Sequence, residues 1–120
     1  MTQELLSGLN GYDIPCRHTI QGGESMVCLI THGFSSSKDS PTAQLLAGEL
    51  PRHGIGTLAL DLPAHGDSPV DGDALSIRHC LDDLARAEAR ALELAPGARV
   101  VYFSSSFGAY LNLIYLSTRP

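Results

Sequence analysis

The chain has 120 residues, with thirteen acidic and eight basic side chains for a formal net charge of −5, and is 43% hydrophobic but only 18% charged. That length suits one domain or part of a larger one, and the low charge fraction leaves relatively little sequence written to face water. An acidic balance without any basic cluster argues against partners gripped by their phosphates, whether nucleic acid or an anionic membrane.

The N-terminus, Met1-Thr-Gln-Glu-Leu-Leu, has neither a basic segment nor a long apolar run, so no signal peptide is expected. Cys16, Cys28 and Cys80 are odd in number and widely spaced, which suits buried thiols in a reduced, cytoplasmic chain better than a disulfide framework. Residues 1–24 are mixed, although Tyr12 to Ile20 alternates enough for an outer strand, and Gly22-Gly23 reads as a turn. Met26-Val-Cys-Leu-Ile is a short apolar run of the kind covered on both faces. Ser40-Pro41 reads as a helix N-cap followed by a first-turn proline. That helix carries Leu45, Leu46 and Leu50 and should stop near His53, with Gly54 as its terminal glycine. Ile55 to Leu60 is a second buried strand, and Asp61 to Asp73 is a loop rich in proline, glycine and aspartate.

From Leu75 to Ala95 the apolar residues Ile77, Cys80, Leu81, Leu84, Ala87, Ala91 and Leu94 recur at steps of three and four. The spacing predicts an amphipathic helix with Asp82, Asp83, Arg86 and Arg90 toward water, ended by Pro96-Gly97. Val100 to Phe103 is a third apolar strand, followed by a helix from about Ser106. Val100 to Thr118 runs nineteen residues without a charge, yet three consecutive serines, a glycine and Asn112 interrupt it, so no membrane span is expected. Strand and helix alternate, which places the chain in the α/β class: a mostly parallel sheet with crossover helices.

In such a sheet, ligands bind beyond the carboxyl ends of the strands. Three segments occupy those ends: His32-Gly33-Phe34, Asp61-Leu-Pro-Ala-His-Gly-Asp-Ser68 and Ser104-Ser-Ser-Phe-Gly108. A nucleophile on a sharp strand-to-helix turn needs small residues two positions before and two after it. Of the three serines only Ser106 qualifies, with Ser104 and Gly108 on either side. A helix N-terminus beside it would direct the Phe107 amide and the positive dipole end toward an oxyanion. On this motif alone, a serine cluster that simply caps a helix stands level with the nucleophile. His-Gly-Phe can present the Phe34 amide to the same spot. For His32 a loop-bracing hydrogen bond is favoured over proton transfer, and for His65 a turn-stabilising role over that of a base.

Together the three segments resemble the N-terminal half of the α/β-hydrolase superfamily, in its lipase, esterase and aminopeptidase-like members of the His-Gly-Phe type. Those proteins carry His-Gly-Phe after the third strand, Asp-x-Pro-Gly-His-Gly-x-Ser after the fourth and Gly-x-Ser-x-Gly after the fifth. The order fits along nearly the whole chain, with Ala64 and Ser104 standing where glycine is usual. The resemblance implies a serine hydrolase of carboxylic esters, thioesters or amides. Ser106 is then the nucleophile, the backbone of Phe34 and Phe107 the oxyanion hole, and His32, Gly33, Ser104, Gly108 and His65 the supporting residues. The substrate is a small acyl compound, and neither a cofactor nor a metal is implied. The triad acid and histidine follow the nucleophile in that superfamily, whereas residues 107–120 contain no Asp, Glu or His. The expectation is therefore a partial domain over residues 1–120, the alternative being a non-catalytic remnant or association module.

Gly54-Ile-Gly-Thr-Leu-Ala has the letters of a dinucleotide fingerprint but opens a strand instead of a helix, so it is discarded. Asp61, His65, Asp67, Asp71 and Asp73 match no metal-loop spacing and read as a solvated turn. If the resemblance holds, the Ile55 strand lies between the Tyr12 and Met26 strands, leaving Cys16 and Cys28 about 10 Å apart, too far for a disulfide. The Val100 strand then lies at an open edge, and the helix after it has almost no polar face. A homodimer, or a complex with a complementary C-terminal half, is expected through both.

Overall fold

The computed structural model describes residues 1–118. Its elements in chain order are β1 (Thr2–Ser7), β2 (Asp13–His18), β3 (Met26–Thr31), α1 (Pro41–Glu49), β4 (Ile55–Leu60), α2 (Ile77–Leu94), β5 (Arg99–Ser104) and α3 (Phe107–Ser117). The 3₁₀ turn Leu50–His53 extends α1 and ends at Gly54, whose φ of 77° closes it in the left-handed region, and a second, Gly72–Ala74, precedes α2. The five strands form one mixed sheet in the order β1-β2-β4-β3-β5. Its core, β4-β3-β5, is parallel; β1 and β2 are antiparallel to their neighbours.

The period-two alternation of β3 shows why three layers form. Val27 and Leu29 join one core cluster with Leu84, Ala87, Ala91 and Leu111 of α2 and α3, while Cys28 and Ile30 join another with Ala43 of α1. Cys16 belongs to the first cluster and Cys28 to the second, on opposite sides of the sheet, and all three cysteines are free and buried. Burial pushes the Cys16 and Cys80 thiols up to about 12, so both stay protonated at neutral pH. As expected, β4 separates β2 from β3, so Gly22-Gly23 joins strands that do not pair.

Two expectations need correction. The strand within Tyr12–Ile20 is not the outermost, because β1 pairs along all of it, from Thr2 opposite His18 to Ser7 opposite Asp13. Thr-Gln-Glu-Leu-Leu-Ser lacks alternation because only Leu6 is buried, while Arg90 of α2 holds Glu4 at 2.7 Å. The second correction concerns Asp83, which is fully buried rather than turned to water. Cys80, Asp83, Leu84, Ala87 and Ala91 share one helical stripe, so position outweighs charge. The Tyr12 hydroxyl donates to Asp83 at 2.8 Å, and burial raises the carboxyl to about 6. Helix α3 buries Gly108, Leu111, Asn112 and Tyr115 and leaves Tyr110 52% and Leu113 71% exposed and Ile114 half-buried. No helix among the described residues is long and apolar enough to cross a membrane.

Candidate active site

The carboxyl ends of β3, β4 and β5 bring the three singled-out segments to one edge of the molecule. Ser106 links β5 to α3 with φ 54° and ψ −122°, a left-handed conformation that costs a non-glycine residue on the order of 1–3 kcal/mol. Although it stands in the N-cap position, its side chain makes no capping hydrogen bond. Ser106 therefore does not cap α3 with its side chain; the residue is exposed, and its hydroxyl has no hydrogen-bond partner among the described residues. Two glycines allow this approach. A Cβ on Gly33 would lie 3.1 Å from the Ser106 Cβ and 3.7 Å from its Oγ, so the β3 loop passes directly against the serine. A Cβ on Gly108 would meet the His32 and Thr31 carbonyl oxygens at 2.5 and 2.6 Å, so only glycine lets α3 start against the end of β3. Ser104, the last residue of β5, fills the remaining small position.

Phe34 follows Gly33 and is 64% exposed, its ring edge-on to Phe107 at 6.1 Å and to His65 at 5.4 Å between centroids. The backbone amides of Phe34 and Phe107 are not engaged by another backbone carbonyl among the described residues. His32 is buried with both ring nitrogens occupied: Nδ1–H donates to the Gly33 carbonyl at 2.7 Å, and Nε2 accepts the Leu62 N–H at 3.0 Å. Burial lowers its pKa, which favours the neutral ring that this pattern requires. It is a brace between the β3 and β4 loops. His65 is also buried; its Nδ1–H donates to the Pro63 carbonyl at 2.9 Å and holds the turn together. Ala64 adopts φ 66°, which explains why glycine suits that position elsewhere.

The acidic loop is not uniformly solvated. Asp61 is fully buried, accepting the Lys38 N–H on Oδ1, and the Lys38 Nζ and the Asp67 N–H on Oδ2. Asp71 caps the Gly72–Ala74 turn. No cluster among the described residues could hold a metal ion. Lys38 is the site-forming residue that sequence reasoning missed, since a lone lysine in a serine-rich loop gives no signal. The one available clue was Asp61 directly after an apolar strand, where a buried carboxylate needs a partner.

The sequence profile of the serine aminopeptidase S33 family matches residues 23–120. The chain belongs to that family. Its fold is that of the α/β hydrolases, as solved structures show. Est1E from Butyrivibrio proteoclasticus, solved with ferulic acid bound, superposes with a TM-score of 0.84 at 16% identity, over 95% of this chain and 47% of its own. A serine hydrolase without a lid from Xanthomonas campestris gives 0.81 at 19% identity, over 97% and 55%. The epoxide hydrolase VrEH1 from Vigna radiata gives 0.76 at 25% identity, over 99% and 35%. This S33-family chain thus spans about a third to a half of the length of these structures. No curated protein sequence matches it.

Proposed function

We propose that the chain supplies the nucleophile and oxyanion hole of a serine hydrolase that works by acyl transfer on a small carboxylic ester, thioester or amide in the cytoplasm. The observation that carries this reading is the Ser106 backbone: a strained, left-handed serine, free of any cap bond, against which the Gly33 backbone packs. Such strain persists only where the surroundings enforce it, and it holds the hydroxyl clear of the helix. Ser106 Oγ attacks the carbonyl carbon, and the amides of Phe34 and Phe107 donate to the developing oxyanion. Collapse of the tetrahedral intermediate expels the alcohol, thiol or amine, and water then releases the acid.

A serine hydroxyl needs a base. Neither nitrogen of His32 is free to act as one, and no Asp, Glu or His follows Ser106 in the sequence. In this reading the acid and histidine lie outside residues 1–120, whether in sequence that continues from them, in a complementary C-terminal polypeptide or in a second copy of the chain. The open edge of β5 and the exposed Tyr110 and Leu113 of α3 support such an association.

The test is hydrolysis of an activated phenyl ester by the chain alone, by the chain with a polypeptide carrying the acid and histidine, and by Ser106→Ala in both settings. The chain alone should turn over slowly, and supplying the base should raise the rate on the order of a hundred- to ten-thousandfold, entirely through Ser106. Hydrolysis that persists undiminished in Ser106→Ala would overturn the assignment. Failure of every added polypeptide to raise the rate would favour a non-catalytic association module.

A further inference from the structure

The loop that carries the Phe34 amide is held only lightly within itself, by one backbone turn and the edge contacts of the Phe34 ring with His65 and Phe107. Its aromatic side chain is largely exposed, and Ser35 sits at φ 66°. Within residues 33–37 the backbone closes a single turn, from Ser36 N–H to the Gly33 carbonyl at 3.1 Å. What holds the loop lies at its two roots, and both are tied to consecutive residues after β4. At the first root His32 accepts the Leu62 N–H. At the second, Lys38 grips Asp61 twice, with its backbone N–H on Oδ1 and its ammonium on Oδ2, each at 2.8 Å.

The Lys38 side chain is only 2% exposed, and its three ammonium protons have three carboxylate partners: Asp61 and Asp67 at 2.8 Å, and Asp39 at 3.1 Å. Arg17 of β2 neutralises Asp39 from outside at 2.8 Å. Burial alone would push the Lys38 pKa down, but the bonds to Asp61, Asp67 and Asp39 hold it above the ordinary lysine range. A buried ion pair of this kind adds little net stability compared with an apolar pair of the same volume, because desolvation consumes most of the attraction. What it does supply is direction. Three fixed carboxylates admit the ammonium in one place, and its own backbone N–H is bonded in the same cluster.

We infer that Lys38 is a positioning residue for the oxyanion hole, clamping the second root of the loop to Asp61 so that the Phe34 amide is held beside Ser106. The inference rests on the hydrolase reading of that site. No contact of Lys38 with substrate is involved. The pairing with Asp67 grades the clamp, since the Asp67 side chain is 74% exposed and can be altered without opening the core.

The test uses the full chain labelled with nitrogen-15. Amide resonances of Phe34, Phe107 and α2 are compared in wild type, Lys38→Met and Asp67→Asn, and acylation of Ser106 by an activated ester is followed by intact mass. Lys38→Met should displace or broaden the Phe34 resonance while α2 stays in place, and slow Ser106 acylation on the order of a hundred- to thousandfold, as loss of one oxyanion donor does. Asp67→Asn should shift Phe34 in the same direction by less. An unmoved Phe34 amide in folded Lys38→Met overturns the clamp, as does a change spread equally over β4 and α2. If Lys38→Met does not fold, Asp67→Asn decides, and an unmoved Phe34 amide there overturns it. Absence of any Ser106-dependent acylation in wild type, even with the polypeptide carrying the acid and histidine added, sinks the hydrolase reading instead, and the Phe34 resonance still judges the clamp.

Discussion

Replacing Gly108 by alanine tests whether the start of α3 is held against β3 by the missing side chain. The added Cβ would lie 2.5 Å from the His32 carbonyl oxygen, 2.6 Å from that of Thr31 and 3.1 Å from the His32 carbonyl carbon. These contacts are with backbone, so no side chain can rotate away, and relief requires α3 to move by nearly 1 Å. Overpacking of this kind costs about 1–3 kcal/mol, and a rigid contact belongs at or beyond the upper end. That is a large part of the roughly 5–15 kcal/mol that holds a typical domain together. Gly48 near the end of α1 provides the control, because a Cβ there meets nothing within 4 Å. Gly48→Ala should stabilise by about 0.5–1 kcal/mol through helix propensity alone. Urea unfolding followed by far-ultraviolet circular dichroism at neutral pH measures both variants against wild type. The two changes should have opposite signs and differ by at least about 3 kcal/mol. Equal effects in the two variants would refute the close approach of α3 to β3, and with it the geometry that places Ser106.

Two further outcomes follow from strained or buried groups. Ser106→Gly relieves the left-handed backbone and should be more stable than Ser106→Ala by about 0.5–2 kcal/mol in the same urea experiment; equal stabilities would show that the turn is unstrained. Asp83 has a folded-state pKa of about 6 against an ordinary value of 3.8, so the folded chain holds its proton more tightly and loses stability as pH rises through that interval. Asp83→Asn keeps an acceptor for the Tyr12 hydroxyl and should stabilise by up to about 3 kcal/mol at pH 7.5, with the gain vanishing below about pH 4. A gain independent of pH would refute the buried-charge account.

Much of the parallel half was legible in the sequence because local signals there agree with the tertiary fold. Ser40-Pro41 starts α1, with the Ser40 hydroxyl accepting the Ala43 N–H, and the apolar runs of β3 and β4 declare strands covered on both faces. Ser106 was singled out by the small residues around it, because a sharp turn restricts neighbours in sequence. Strand β1 was missed because its partners are distant: β2 pairs with its backbone, and Arg90 of α2 satisfies Glu4. Backbone pairing leaves no mark on residue choice where the side chains stay exposed.

The sequence by itself determined the alternation of strand and helix, the amphipathic stripe of α2 and the small residues that flank Ser106, since each depends on residues within one or two turns of one another. Only the tertiary structure decided that Asp83 is buried, that both nitrogens of His32 are taken by its brace, and that Lys38 closes on Asp61. Lys38 and Asp61 are separated by 23 positions and meet at 2.8 Å. No local pattern encodes such a meeting: it forms only when β3 and β4 align in parallel and their loops leave the sheet side by side, and the cost of burying each charge then selects the other as its partner.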